Sequence, residues 1–563
     1  MSQAEPQPGA APASRLAKAQ QMRVLIVGGV AAGMSAATRL RRLREDAEIV
    51  VYEAGENVSY ANCGLPYFVS DVISDRNALL LQTPESLWRR FRLDVRVNSR
   101  VASIDRQTQT VAVVNSLTGE EHIDRYDYLV LATGARPRRL EVPGGERALA
   151  LRDVSDADTL KSAAANAKSA VVVGAGYVGI EVAENLRHLG VEVSIVQRKG
   201  QVLSGFDPDV IEPFQARLEA NGVRLLLENQ IASVQEKTIT LATGEVFEAD
   251  LVIAAAGVTP DNSLAVAAGL ELGPTGGLKV DAQQRTSDPN ILAAGDAVEK
   301  VGELTGAETL IPLANLANRH GRLIADVIAG VDTEAHPALG TAIIGAFGMM
   351  AAMTGLSETA AKQAGFDATS IHLHPGNHAG YYPGAKRVSL KVVFENKTGR
   401  ILGAQGVGED GVDKRIDVLA TAIRAGLTVD ELMDLELAYA PQFGSAKDPI
   451  NHAGYIGNNV LHGTTPIIQW HELNSALAAG AQLIDVRTES EYAAGAIPGA
   501  RLIPVDHLRD HLDEIDGDVI VHCAVGQRGH TATQILRAAG KNVRNLSGGY
   551  TTWKAGTDAL ARR

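Results

Sequence analysis

The chain has 563 residues, a net charge of −13, 56 glycines and only 4% aromatic residues. That length divides into roughly three to five domains, and the acidic balance argues against nucleic acid as the main partner. Only two cysteines occur, Cys63 and Cys523, which points away from a disulfide framework and toward a reducing compartment.

Residues 1–20, rich in Ala, Pro and Gln but without an apolar run, read as a flexible tail and not as a signal peptide. The longest apolar stretch, around Ala342–Met353, is shorter than the ~20 residues a membrane span needs. The expected location is therefore cytoplasmic. No metal ligand set is expected.

The first element pattern is a short β-branched run, Arg23–Val27, then Gly28, Gly29 and Gly33, then a helical pattern over Met34–Arg44. This is a strand, a tight turn and a helix. The next apolar run, Glu48–Tyr52, ends at Glu53, about 20 residues beyond the turn, where a dinucleotide-binding unit places an acid for the ribose hydroxyls. Val30 departs from that pattern, because it takes the second glycine position.

The unit recurs in fuller form as the run Ser169–Val173, then Gly174, Gly176, Tyr177 and Gly179, a helix beginning near Ile180, and a strand Val191–Val196. With all three glycines present, a pyrophosphate can rest on the helix N-terminus, whose free amides favour an anion. The second strand runs on into Gln197, Arg198 and Lys199, with no acid. Arg198 stands where it can pair with a 2′-phosphate, so NADPH is expected to serve at least as well as NADH.

Two further segments belong with the first unit. One, Tyr128–Ala135, carries Thr133 and Gly134; the other, Asn290–Ala297, is a strand ending in Gly295, Asp296 and Ala297. From such an end a carboxylate and a helix N-terminus can hold polyol hydroxyls and a phosphate. In this order, over about residues 22–455, the motifs resemble the pyridine nucleotide-disulfide reductase family. The resemblance implies two Rossmann-like dinucleotide-binding domains, FAD in 21–150 and 278–335 and NAD(P)H in 151–277. It also implies an α+β domain over 338–455 that makes a homodimer, and it casts Tyr177 as the side chain that covers the flavin until nicotinamide enters.

From residue 464 the pattern changes. Asp485-Val486-Arg487, Glu491-Tyr492, Gly495-Ala496-Ile497-Pro498-Gly499, the segment Cys523–Arg528, and Gly548-Gly549 followed by Trp553 resemble an α/β rhodanese domain over 464–563. Ala496 departs from it, since His is common there. Residues 455–466, with Gly, Asn, Thr and Pro, read as a linker. Cys523 ends a strand and opens a six-residue loop before a helix over Gly529–Ala539. Successive loop amides, with Arg528 as a fixed cation, suit a thiolate and the terminal sulfur of a persulfide.

Cys63 lies in Ser59-Tyr60-Ala61-Asn62-Cys63-Gly64-Leu65-Pro66, with no second cysteine in its domain. Its thiol must pair with something else, either a sulfenic oxygen or a small-molecule thiol held as a mixed disulfide. The stretch is similar to that of coenzyme A-disulfide reductases and their persulfide-reducing relatives. The first glycine loop, Val30-Ala31-Ala32, lacks the His usual in peroxidase-type members, which favours the mixed disulfide. Only the thiolate attacks sulfur, and its fraction depends on local positive potential. Amides around Cys63-Gly64 and an upstream helix with Arg39 and Arg42 at i,i+3 are the candidate sources.

The resemblance implies that Arg39, Arg42, Ser59 and Asn62 contact coenzyme A, whose phosphates suit guanidinium forks. It further implies that Tyr439 and either Tyr381 or Tyr382 reach across the dimer to the partner's cysteine, where a phenol can give a proton to a leaving thiolate. The expected activity is FAD-dependent NAD(P)H reduction of CoA disulfide, CoA persulfide or polysulfide through a Cys63–S–S–CoA mixed disulfide. Cys523 would carry sulfane sulfur to or from coenzyme A. Two alternatives stay open: an NAD(P)H oxidase or peroxidase using a Cys63 sulfenate, and a sulfur-carrier or redox-sensing protein without turnover.

Overall fold

The computed structural model describes residues 21–562, so the tail expected over 1–20 lies outside the described residues. The first sheet has five parallel strands in the spatial order Ile291–Ala293, Tyr128–Leu131, Arg23–Val27, Glu48–Tyr52 and Asp94–Arg96. Its central strand is buried on both faces, with Val24, Leu25 and Ile26 wholly inaccessible, as a parallel sheet covered on both sides requires. The chain order reverses at Arg23–Val27, which opens a crevice at the carboxyl ends of the strands where ligands bind in such sheets.

The second sheet repeats the plan with four parallel strands, Val223–Leu226, Glu192–Val196, Ser169–Val173 and Leu251–Ala254. The third is antiparallel, in the order Ala342–Ala346, Met349–Gly355, Ile401–Gly408, Val388–Glu395 and Ala368–Leu373. Alternation along its strands sorts the side chains by face. Leu390, Val392 and Ile371 join the apolar core that includes the helix Val412–Ala425, while Lys391 and His372 on the opposite face meet a polar junction. The fourth sheet has five parallel strands, Ile467–Ile468, Asn542–Leu546, Asp518–His522, Gln482–Asp485 and Arg501–Leu502.

The last helix, Gly549–Ala561, lies against the helix Pro208–Ala220 that follows the second sheet's Glu192–Val196 strand. Arg562 closes that contact by pairing with Glu212 at 2.7 Å and Glu219 at 2.6 Å. No helix among the described residues is long and apolar enough to cross a membrane.

Some boundaries differ from the sequence reading. Residues 455–461 are not linker, because a helix runs from Pro449 to Leu461. Asp448 caps it, accepting from the Ile450 amide at 3.1 Å, and Pro449 takes the first helical position it favours. Gly454 and Gly457 lie directly against Met433 and Val429, so they serve close packing, Gly457 within the stretch read as linker. The first helix starts at Ala31 and the second glycine-turn helix at Tyr177. The helix after Cys523 starts at Gln527, which puts Arg528 in its first turn and not in the loop.

Candidate active site and sulfur site

A cavity of about 2350 Å³ runs past both glycine turns and is lined by Gly28, Thr133, Gly174, Tyr177 and Asp296, among others. A Cβ on Gly33 would strike the Gly28 carbonyl, and one on Gly179 the Gly174 carbonyl. Both helices therefore start flush beneath their turns, which only glycine permits. A Cβ on Gly176 would meet nothing within 4 Å, so that turn is an open cradle for a pyrophosphate. At the matching place in the first turn, Val30 lines the cavity. Glu53 is held at its strand end by the amides of Gly29 at 2.7 Å and Gly55 at 2.9 Å.

Gly134 and Gly295 line the same cavity, whereas Ala297 is wholly buried behind it. Burial raises the Asp296 carboxyl, opposed by Lys300, whose amine donates to the Gly295 and Val298 carbonyls at 2.6 and 2.7 Å. Arg198 is exposed, lines the cavity, and has no carboxylate among the ion pairs of the described residues. Two adjoining cradles, each closed by a strand-end acid or an unpaired Arg, fit a flavin and a nicotinamide dinucleotide.

Cys63 sits in the 3₁₀ turn Asn62–Gly64, just before the helix Leu65–Val69. Its sulfur is open to the cavity and lies 3.9 Å from Asn62 Oδ1. The surrounding walls still withdraw enough water that burial raises the thiol's pKa, and the carboxylates of Glu181 and Asp296 raise it further. Glu181 is itself pushed up to about 7, by burial first and by Glu184 second. Four positions after Tyr177 on the same helix face, Glu181 is a site residue that the sequence reading passed over, although the spacing was there to see.

The expectation that Arg39 and Arg42 raise the potential at Cys63 is not met. Arg39 Nε pairs with Asp326 at 2.7 Å, Arg42 stacks on Phe91 at 5.1 Å, and neither lines the cavity with Cys63. Ser59 adopts a left-handed conformation, φ 49°, and its amide donates to the Gly29 carbonyl at 2.8 Å. That bond ties the Cys63 segment to the first glycine turn.

The tyrosine clusters meet within one chain. The hydroxyls of Tyr381 and Tyr439 lie 3.0 Å apart, and their bond raises the Tyr439 phenol. Tyr382 instead stands edge-on to the His378 ring at 5.7 Å. The two loops are joined by the Ala379 amide on the Gly444 carbonyl at 2.9 Å. Behind them buried Arg415 donates to the Asn377 carbonyl at 2.8 Å and to Asp448 at 2.6 Å. Neither tyrosine lines the cavity that Cys63 of the same chain faces.

Cys523 follows the strand Asp518–His522 and is fully buried. The Gly526 amide donates to its sulfur at 3.2 Å, and Asn545 holds the Gly526 carbonyl at 3.0 Å. Arg528 interacts with the Cys523 sulfur but is not a free cation here. It grips Glu491 with two bonds of 2.6 and 2.7 Å, and that grip holds the Glu491 carboxyl down at about 2. His522, lowered to about 4 by burial, is neutral beside the buried Asp485–Arg487 pair.

Known families match the chain along most of its length. Residues 22–321 match the pyridine nucleotide-disulphide oxidoreductase family, 342–448 its dimerisation domain, and 469–556 the rhodanese-like domain. The chain is 34% identical over 437 residues to a coenzyme A disulfide reductase of Staphylococcus epidermidis, covering 77% of this chain and 99% of that one. It superposes with TM-score 0.94 and 42% identity on the reduced CoADR-RHD of Bacillus anthracis, covering 96% and 99% of the two chains. A NAD-dependent persulfide reductase from A. fulgidus gives TM-score 0.89 at 36% identity, covering 94% and 100%.

Proposed function

The chain belongs to the pyridine nucleotide-disulphide oxidoreductase family, with a rhodanese-like domain following the reductase, and from that premise we propose that it reduces CoA disulfide and CoA persulfide through Cys63. One observation carries this reading. Cys63 is the only cysteine of the reductase part, and it opens on the cavity shared by both dinucleotide cradles. With no second thiol to close an internal disulfide, its partner sulfur is supplied by the substrate.

FAD and NAD(P)H, when bound, supply the two electrons. Gly28, Gly33, Glu53 and Asp296 would hold the first, and Gly174, Gly176, Gly179 and Arg198 the second. The residues of this chain do the rest. The Cys63 thiolate attacks the sulfur attached to coenzyme A, giving Cys63–S–S–CoA and releasing hydrosulfide from a persulfide or CoA thiolate from a disulfide. Asn62 lines the cavity beside the thiol, and Asn62 and Ser59 are the proposed contacts for the substrate's arm. Tyr381 and Tyr439, as a bonded pair, donate a proton to the departing thiolate across the proposed homodimer. Two electrons and two protons then return Cys63 as thiol and free coenzyme A.

Cys523 is proposed to carry sulfane sulfur, with the Gly526 amide stabilising the charged sulfur. Arg198 supports use of NADPH at least as well as NADH. The direct test is mass spectrometry of the protein after incubation with CoA disulfide under non-reducing conditions. The reading predicts one CoA adduct on Cys63 and none in Cys63→Ser. Wild-type protein that turns over NAD(P)H with oxygen while never forming the adduct would overturn it.

A further inference from the structure

The loop that holds Cys523 does not rest on its own domain alone. It leans on Gly548 and Gly549, both left-handed at φ +68° and +61°. On one side, a Cβ at Gly549 would strike the Cys523 carbonyl and the backbone of Ala524 and Gly526. On the other, a Cβ at Gly548 would lie 2.7 Å from the Cβ of His372, a residue of the antiparallel sheet. The two glycines thus lie between the sulfur loop and the reductase body.

The segment 547–552 is held at both ends by that body. Ser547 Oγ bonds His372 Nδ1 at 3.0 Å and accepts from the His372 amide at 3.2 Å. Thr552 Oγ1 bonds His374 Nε2 at 2.8 Å. In its middle, the same segment holds the sulfur loop, through the Tyr550 amide on the Cys523 carbonyl at 2.8 Å and the Thr551 amide on the Ala524 carbonyl at 2.9 Å.

The histidines are anchored in turn. His372 Nε2 bonds Asp209 at 2.8 Å, and His374 Nδ1 bonds Ser389 at 2.8 Å. A domain that is merely tethered has no need of a buried and a half-buried histidine in its docking face, since replacing both partners of such a bond by apolar groups of the same shape is nearly neutral or stabilising. A network with both nitrogens of each ring satisfied instead specifies one geometry.

We propose that His372 and His374 are positioning residues for sulfur transfer at Cys523, so that the reductase body completes the rhodanese-like site. This rests on the reading of Cys523 as a sulfur carrier. In the step concerned, the Cys523 thiolate attacks the outer sulfur of a sulfane donor such as thiosulfate. A new S–S bond forms, and sulfite leaves with the electron pair of the broken one. A nucleophile such as cyanide then takes the outer sulfur as thiocyanate and returns the thiolate, with no net oxidation.

The test uses the full chain with thiosulfate and cyanide as probes and thiocyanate as readout, in wild type, Cys523→Ser, His374→Ala, His374→Gln and Thr552→Val. CoA-disulfide-dependent NAD(P)H oxidation is measured on the same preparations. His374→Ala and Thr552→Val should lower kcat for thiocyanate about tenfold or more, as small misplacements of a reacting group do, with KM for thiosulfate little changed. His374→Gln, which returns a polar group to Thr552, should recover most of the rate, and CoA-disulfide reduction should stay at the wild-type level in the His374 and Thr552 variants. Full kcat in both His374→Ala and Thr552→Val overturns the proposal, as does a loss that His374→Gln fails to restore, which would make the histidine packing alone. Wild type no faster than Cys523→Ser defeats the carrier reading itself, and the proposal with it.

Discussion

Replacing Lys391 with Met probes the junction on which the rhodanese-like domain sits. Its Nζ lies 2.9 Å from Glu358, 3.1 Å from Asp207 and 3.3 Å from Asp209, and all four side chains are buried. Burial opposes ionisation of Glu358, yet Lys391, helped by Lys362 and Ser370, holds it from 4.5 down to about 2. Burial likewise opposes Asp209, which Lys391 and His372 hold well below the usual carboxylate range.

A depressed carboxyl contributes stability that is present above its unfolded value and lost as pH falls through its folded value. For Glu358 that is roughly 3 kcal/mol at neutral pH and about 2 kcal/mol near pH 3.5. Met fills the volume of the Lys stem but leaves the carboxylates unpaired, so the expected loss at neutral pH is about 3–5 kcal/mol, the cost of breaking a buried pair. The deficit should narrow as pH falls from 4.5 toward 2. Guanidinium midpoints followed by tryptophan fluorescence report it, because Trp470 and Trp553 both lie in the rhodanese-like domain. An unchanged midpoint at neutral pH, or a deficit that grows on acidification, would refute the reasoning.

Arg198→Ala should lower kcat/KM for NADPH about tenfold, the worth of a hydrogen bond to a charged group, and leave NADH unaffected; equal losses with both cofactors would count against a 2′-phosphate contact. Because the Glu181 carboxylate raises the Cys63 thiol, Glu181→Gln should move the pH midpoint of Cys63 alkylation downward, and an upward shift would contradict the electrostatics described. Tyr381→Phe should slow persulfide-dependent turnover about tenfold or more while Tyr382→Phe does not, which steady-state rates at saturating substrate distinguish; the reverse order would assign the role to Tyr382.

Much of the architecture is legible in local pattern. Strand, glycine turn and helix follow from Arg23–Val27 and Ser169–Val173 with their glycines, because a missing Cβ at Gly33 or Gly179 is a local steric demand that sequence records directly. Charge is less legible. Arg39 and Arg42 look like a basic face for Cys63, but in the fold Arg39 is spent on Asp326, which lies 287 positions away, and Arg528 is shared between Cys523 and Glu491. Glycine also misleads where it serves packing, as at Gly457 within a helix. The pairing of Tyr381 with Tyr439 and the bonds of His372 and His374 to Ser547 and Thr552 join segments from 58 to 178 positions apart. No periodicity carries such information, since it depends on how the sheets dock.

The central claim, that Cys63 works through a mixed disulfide with coenzyme A, is tested most directly by anaerobic NAD(P)H oxidation with CoA persulfide, sulfide release being measured in wild type and Cys63→Ser. The account predicts persulfide-dependent oxidation with one sulfide per NAD(P)H in the wild type and none in Cys63→Ser. Oxidation that ignores the persulfide and resumes only with oxygen or peroxide would contradict it.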